Sequence, residues 1–474
     1  MNIVIAYISP ISNESLTSLC EELKKKNPIN ANDFERYAVK RGLRNADGTG
    51  VMAGLTRICS VEGYFVSDGE RIPTLGRLIY RGIDVEEIVQ NCMSDNRFGF
   101  EEVTWLLLFG SLPTKAQLDA FTDVMAQCRQ LPEDFVENMI IKSPSKNIMN
   151  KMERSVLSLY SYDENPEDTS LENVLRQSLQ LIAQLPTIMS YAYQIKRRYY
   201  DKDSMYIHQI DGSYGTAQSI LNFLREDRKF TDEEAKLLDL CLILHAEHGG
   251  GNNSTFVTRA LTSSGTDTYS AIAGGIGALK GHLHGGANIK VTQMVENIKS
   301  NIKDITDEGQ VADYLTKIIQ KSANDKTGLV YGMGHAVYTL SDPRAVLLKQ
   351  KAKEFSKGTE FEDEYKLLEL IERLTPIALQ KEKGDNKRIC ANVDLYSGLI
   401  YKLLRIPEEI FTPLFAAARV VGWSAHRIEE LTTGGRIMRP AYKSVSLPHK
   451  YIAINDRIVE ADMTEQYIPT EERL

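Results

Sequence analysis

The chain predicts an all-α protein, and three observations carry that reading. Apolar residues recur at helical spacing over most of the 474 residues. Helix caps stand in front of several of those runs, and strand signals are few and peripheral. In chain order, residues 1–33 are the least patterned, with Lys24-Lys25-Lys26 and an Asn-rich stretch, and read as an N-terminal appendage. Tyr64-Phe65-Val66 and Arg71-Ile72 flank Asp68-Gly69, a turn pair that predicts a hairpin. A helix from Glu101 to Phe109 ends at Gly110, a residue that tolerates the left-handed cap. Thr114-x-x-Gln117, just after Pro113, is a capping box that opens a helix at Lys115. A second box, Thr231-x-x-Glu234, opens a helix with Ala235, Leu237, Leu238, Leu240, Cys241, Leu242, Ile243 and Leu244. That helix is apolar nearly all round and so belongs in the core. It is expected to run through His245-Ala246-Glu247-His248 and stop at Gly249-Gly250-Gly251. Tyr269 to Leu279 is rich in Ala and Gly, which permits close helix packing at a cost in propensity. Phe411 to Leu431 reads as a long helix carrying Arg419, and Tyr451 to Val459 around Asn455-Asp456 as a second hairpin. No internal repeat and no Pro/Ser-rich linker is present.

Composition narrows the function. Hydrophobic content of 42% and charged content of 25% are those of an ordinary globular protein long enough for two or three domains. A net charge of −8 and a pI near 5.7 argue against nucleic-acid or anionic-membrane partners. An anionic substrate would therefore need positive charge gathered locally. The six cysteines are scattered without a C-x-x-C pair, as in a reducing compartment. No run of 18 apolar residues and no Arg-rich, acid-poor leader occurs, so the expected location is cytoplasmic.

Three segments carry the chemistry. Gly281-His282-Leu283-His284-Gly285-Gly286-Ala287-Asn288 sets a histidine in a glycine-rich turn, where its imidazole stays uncovered. Gly332-Met333-Gly334-His335-Ala336-Val337-Tyr338 continues through Thr339-Leu340-Ser341-Asp342-Pro343-Arg344, and Asn392-Val393-Asp394-Leu395-Tyr396-Ser397-Gly398 follows. Two histidines and a carboxylate are what acid–base chemistry at carbon needs. Five of the eight histidines fall within 91 residues, and glycines bracket His284 and His335 as they would not bracket core positions. His282 reads as a bystander, and His426 and His449 as ordinary structural residues. A metal site built on His245-x-x-His248 and His282-x-His284 is disfavoured: the i, i+4 pair of a zincin is missing, Glu247 has the wrong offset, and no cysteine cluster accompanies it.

Gly332-Met333-Gly334 fails as a dinucleotide fingerprint, for it lacks the third glycine and a strand–helix unit. It remains credible as backbone against which a nucleotide-bearing thioester lies. Lys387-Arg388 suits phosphates, or is a solvated basic turn. Arg344, Arg419 and Arg439 stand out because a dicarboxylic acid needs more than one bidentate clamp. Arg419 interrupts an apolar helix face, where an unpaired charge is costly; the competing reading is a structural salt bridge.

These segments resemble the citrate synthase family, and the resemblance covers about residues 35–445. Tyr80-Arg81-Gly82-Ile83-Asp84, Leu106 to Pro113, His245 to His248, Asn252-Asn253-Ser254-Thr255-Phe256, Gly422-Trp423-Ser424-Ala425-His426 and Ile437-Met438-Arg439-Pro440 all fall in the family's order. The resemblance implies a two-domain all-α fold, with a large domain of 34–288 and 399–474 and a small domain of 289–398 that closes over a cleft. It implies a homodimer that condenses acetyl-CoA with oxaloacetate and hydrolyses citryl-CoA to citrate and CoA. In this sequence Asp394 would take the methyl proton, His284 would hydrogen-bond the thioester oxygen and His335 would polarise the ketone. His248, Arg344 and Arg419 would bind oxaloacetate, with Arg439 reaching the partner's site. Leu283, Val330, Gly332, Met333, Lys387 and Asn392 match positions lining the CoA site. No metal or other cofactor is implied, acetyl-CoA being a substrate. The chemistry further predicts an imidazole kept neutral by a helix N-terminus or backbone donor, and a carboxyl with a raised pKa. Glu247 departs from the usual aspartate, His282 from a proline, and Met333 from an aromatic or small residue. A 2-methylcitrate synthase using propionyl-CoA is the near alternative, because one methylene discriminates by only ~1–3 kcal/mol. A metal-dependent hydrolase and a non-catalytic metabolite-binding regulator are the readings from other classes.

Overall fold

The computed structural model describes residues 11–26, 29, 31–45, 48–68, 70–384, 388–446 and 450–456. It divides into two compact units, Ala53–Met438 and a smaller one of Met1–Met52 with Arg439–Leu474. The unit that holds the N-terminal appendage thus extends beyond residue 33 and includes the chain's C-terminal segment.

Among the described residues, the larger unit is helical apart from one sheet. Strands β1 (Cys59–Ser67), β2 (Glu70–Tyr80) and β3 (Ile83–Asp84) pair antiparallel in that order. Ser67 faces Glu70 in the register, so the predicted hairpin is present and longer than its apolar core suggested; Gly69 itself lies outside the described residues. Both capping boxes form, Thr114 with Gln117 and Thr231 with Glu234. Gly110 ends the helix Phe100–Phe109 in the left-handed conformation, φ 88°.

The helix Asp232–His245 is buried as its composition requires, but it carries a carboxyl that the apolar pattern hides. Asp239 is 3% exposed and accepts from the Gly99 and Phe100 N–H groups at 2.7 and 3.3 Å, closing the open end of the neighbouring helix. Burial, with Glu101 adding to it, pushes its pKa up to about 8. The same helix ends earlier than predicted, at His245. Its final carbonyls are taken by other elements: the Tyr80 hydroxyl lies 3.0 Å from the Ile243 and Glu247 oxygens, and the Gly422 N–H donates to Ala246 O at 3.1 Å. Ala246 caps the helix with αR backbone angles, residues 247 and 248 lie beyond it, and Gly249 turns the chain at φ +85°.

The Ala/Gly-rich segment packs as closely as predicted. On the helix Thr268–Lys280, a Cβ at Gly275 would lie 2.7 Å from Thr258 Oγ1 and 3.0 Å from the Trp423 ring. These contacts seat it against the helices Asn253–Ser263 and Phe411–Thr432. Farther along, Glu308–Ile319 packs on Glu362–Lys383, and Pro343–Ser356 packs on Val393–Leu403, which also meets Ala287–Asn301. No helix among the described residues is long and apolar enough to cross a membrane.

In the smaller unit, helices Asn13–Lys26 and Ala31–Arg36 precede a 3-10 turn at Arg41–Leu43. The second predicted hairpin is not formed in its described part: Ile454–Asp456 is a single 3-10 turn, and 457–459 lie outside the described residues. An Asn-Asp pair suits a tight turn as well as a hairpin tip, and the sequence period there is too short to decide.

Candidate active site

His248 leaves the core just past the early helix end. Its ring meets His335 edge-on at 5.1 Å and Tyr338 at 5.6 Å, and its Nε2 is buried with no hydrogen-bond partner among the described residues. Burial foremost, then the charge of Arg344, the neighbouring His335 and Arg419, hold its pKa well below the usual imidazole range. It is a neutral ring.

His335 has its tautomer set by backbone. Its Nδ1 accepts from the Val337 and Tyr338 N–H groups at 3.1 and 3.2 Å, which leaves the proton on Nε2. The ring stacks on Tyr338 at 4.6 Å and 24°.

The two arginines are buried by different means. Arg344 pairs with Asp342, the N-cap of its own helix: Nε and Nη2 donate at 3.0 and 2.7 Å to the two carboxylate oxygens. This bidentate salt bridge fixes the plane of the guanidinium. Arg419, 1% exposed, donates Nε–H to His245 O at 2.6 Å and lies over Phe415, while its Nη2 is buried with no hydrogen-bond partner among the described residues. Burial lowers its pKa, against the pull of Glu247. Arg419 Nη2 is a buried donor without a partner among the described residues, which an anion would satisfy.

His284 is held from behind. Asn252 caps the helix Asn253–Ser263, and Ser254 in its first turn directs N–H at His284 Nε2 at 3.3 Å, with Oγ at 3.0 Å. Trp423 Nε1 donates to that Oγ at 3.2 Å. An Nε2 that faces a helix N-terminus accepts, so Nδ1 carries the proton. Burial and then Arg419 bring the His284 pKa down to about 4. Gly285 is required in the turn, for a Cβ there would lie 2.4 Å from Leu279 O.

Asp394 sits in the first turn of Val393–Leu403 behind the N-cap Asn392. Asn392 joins this helix to the His335 segment: Oδ1 accepts from Asp394 N at 3.0 Å, Nδ2 donates to Gly334 O at 2.9 Å, and its N–H donates to Gly332 O at 2.9 Å. Burial pushes the Asp394 pKa up to about 6, Arg344 opposing and Asp342 reinforcing.

Glu247, the family departure, lies behind these groups at 0% exposed. His426 Nε2 is 3.0 Å from its Oε1, and the His426 Nδ1 accepts from Arg259, which also pairs with Glu429 and Glu430. Burial would raise the Glu247 pKa, but His426, Arg419 and the Gly249 N–H together lower it. Gly422 leaves the room for the longer side chain, since a Cβ there would lie 2.0 Å from Glu247 Oε2 and 2.6 Å from Ala246 O. Gly422→Ala is expected to cost about 1–3 kcal/mol by overpacking, seen as a lower apparent Tm in a thermal melt; an unchanged Tm would refute the crowding.

The structure thus gathers His248, His335, Arg344 and Arg419, and the charge of Arg419 reaches His284 while that of Arg344 reaches Asp394. Of the positions matched to the CoA site, Leu283 is 91% exposed and Val330 is buried. Gly332 adopts φ +82°, and Met333 bridges to Ala391. The Asn392 side chain is engaged by protein on both of its polar atoms. Lys387 lies outside the described residues, and Arg388 is exposed. Arg439 is exposed and belongs to the smaller unit. His282 is exposed. Sequence reasoning assigned no role to Ser254, Tyr338 or Asp342, although all three stand inside quoted motifs; their function lies in what they hold, which spacing does not reveal.

Fold and site together bring a buried carboxyl of raised pKa near two histidines that backbone N–H groups hold and two buried arginines, within an all-α frame. Residues 45–441 match the family model described as citrate synthase, C-terminal domain. A citrate synthase of Corynebacterium glutamicum is 35% identical over 77% of this chain and 79% of its own length. One of Synechocystis is 31% identical over 88% and 94%. A 2-methylcitrate synthase of Shewanella oneidensis is 30% identical over 80% and 92%. Among solved structures, citrate synthase of Thermotoga maritima matches with a TM-score of 0.68 and 29% identity over 86% of this chain and 98% of its own. That of Thermoplasma acidophilum, solved as a ternary complex with carboxymethyl coenzyme A and oxaloacetate, matches with a TM-score of 0.70 and 26% identity over 88% of this chain and 99% of its own. The chain belongs to the citrate synthase family, and it is an enzyme of that class.

Proposed function

We propose that this enzyme condenses acetyl-CoA with oxaloacetate and hydrolyses the citryl-CoA formed, with the roles distributed as follows. Asp394 removes a methyl proton while His284 Nδ1–H bonds the thioester oxygen. The enol so formed attacks the oxaloacetate ketone, polarised by His335 Nε2–H. His248, Arg344 and Arg419 hold the oxaloacetate carboxylates. One observation carries this reading: backbone N–H groups donate to one nitrogen of each ring, Ser254 to His284 Nε2 and Val337 and Tyr338 to His335 Nδ1, which leaves the proton on the opposite nitrogen. A neutral donor matches the modest acidity of an enol better than an imidazolium would.

A thioester α-hydrogen is too weakly acidic for a carboxylate alone. The donor at the oxygen therefore supplies the larger share, roughly 3–4 kcal/mol. Residues 289–398 would form the small domain that closes to exclude water, as the packing of its helices on one another supports. The apolar side chains left exposed in the smaller unit, among them Leu19, Leu23, Tyr442 and Tyr451, support a homodimer in which Arg439 completes the partner's site. The six cysteines, none in a disulfide, support a cytoplasmic location. No cofactor is called for by these steps, acetyl-CoA and oxaloacetate being the substrates, and Leu283, Val330, Gly332, Met333, Lys387 and Asn392 would line or shape the CoA site.

CoA release measured with oxaloacetate and EDTA, on acetyl-CoA and propionyl-CoA in parallel, tests the reading. Acetyl-CoA is expected to turn over faster. A clear preference for propionyl-CoA would move the assignment to 2-methylcitrate synthase, and release abolished by EDTA would favour a metal-dependent hydrolase. The pH profile gives a second expectation. Asp394 must be ionised to act, so kcat should fall as pH drops through about 6, while His284, at about 4, stays neutral across that range. A plateau extending below pH 5 would contradict the role of Asp394.

A further inference from the structure

Tyr338 holds a place in this site that the substrate contacts do not explain. It is 1% exposed, with its ring stacked on His335 at 4.6 Å and edge-on to His248 at 5.6 Å. Its own N–H is one of the two that fix the His335 tautomer. Its hydroxyl donates to Arg77 O on β2 at 3.3 Å.

The sheet grips the same segment at further points. Gly76 N donates to Ser341 Oγ at 3.0 Å, and Arg71 Nη2 donates to Val337 O at 3.3 Å. Gly63 and Gly76 admit the segment to contact: a Cβ would lie 2.7 Å from Val337 O at the first and 2.1 Å from Ser341 O at the second. The β1–β2 hairpin is thus a saddle on which the His335 segment rests, with Tyr338 as the buried piece between saddle and imidazoles.

We propose that Tyr338 is a positioning residue: its ring sets the planes of His335 and His248, and its hydroxyl ties that pair to the hairpin. The inference rests on the reading of His335 as the group that polarises the ketone. Two backbone donors hold the imidazole at Nδ1, and the stacked ring restrains the tilt of its plane about that nitrogen. Hydrogen-bond strength at a carbonyl falls steeply with misalignment, so the tilt matters.

The test compares full-length Tyr338→Leu and Tyr338→Phe with the unaltered enzyme in two readouts. One is steady-state kinetics, and the other is the infrared carbonyl stretch of bound oxaloacetate labelled with carbon-13 at the ketone. That frequency reports polarisation in the bound complex, which a merely structural defect would leave unchanged in the molecules that bind. Tyr338→Leu is expected to lower kcat by about tenfold, with KM for acetyl-CoA little changed and a smaller carbonyl shift. Tyr338→Phe keeps the ring and loses the tie, so it should retain most of the shift and lose about threefold in kcat. A carbonyl shift in Tyr338→Leu equal to that of the unaltered enzyme would overturn the proposal, as would a phenylalanine variant as impaired as the leucine one. Should Tyr338→Leu fail to fold, Tyr338→Phe decides: unchanged kcat would overturn the tie to the hairpin. An unaltered enzyme that gives no shift at all would instead remove the reading of His335 on which the inference rests.

Discussion

Asp394→Asn is expected to lower kcat by about 10³-fold or more while leaving the fold and oxaloacetate binding intact. The substitution keeps the volume and the helix, because Asp394 joins the helix through its backbone N–H to Asn392 and not through its carboxylate. What it removes is a base whose burial has brought it to about 6, close to the pH at which it works. An amide cannot take the proton. Oxaloacetate affinity should change little, because the proposed anion donors are His248, Arg344 and Arg419. Isothermal titration with oxaloacetate, beside the kinetic assay, separates loss of chemistry from loss of binding.

His284→Ala is the second large effect, expected to reduce kcat by roughly 10²–10³-fold, or ~2.7–4 kcal/mol in the barrier. The argument comes from how the ring is held. Ser254 N–H and Oγ occupy Nε2 at a helix N-terminus, so the Nδ1 proton is the one available to the thioester oxygen. The donor is preorganised, and it gains strength as charge develops on that oxygen. Turnover within threefold of the unaltered enzyme would show that the oxygen is stabilised by something else. The Ser254 contacts are lost together with the ring, so a thermal melt should accompany the kinetics.

Much of this was legible in the sequence because it resides in local pattern. Capping boxes at Thr114 and Thr231 need only the residues they contain, and both form. The glycines of Thr268–Lys280 announced close packing, and the structure supplies the partners, Thr258 and Trp423. A helix N-terminus does meet an imidazole, Ser254 N–H at His284 Nε2, but it is burial and then Arg419 that lower the His284 pKa. The features that escaped depend on long-range partners. The early end of Asp232–His245 is set by Tyr80 and Gly422, neither of which is near in sequence. Asp239 stands in an apolar run, yet it serves a helix that begins at Phe100. Arg344 makes a salt bridge with Asp342, two residues away in sequence, a pairing that the clamp argument for this arginine does not reveal. Glu247, odd as a departure, is accommodated by the absence of a side chain at Gly422. Spacing names the residues that react more readily than those that hold them.

The measurement that bears most directly on the central claim is CoA release from acetyl-CoA with and without oxaloacetate, for the unaltered enzyme and Asp394→Asn side by side. The account predicts rapid release that requires oxaloacetate and falls by about 10³-fold in the variant. Release that proceeds without oxaloacetate, or that survives in Asp394→Asn, would contradict it.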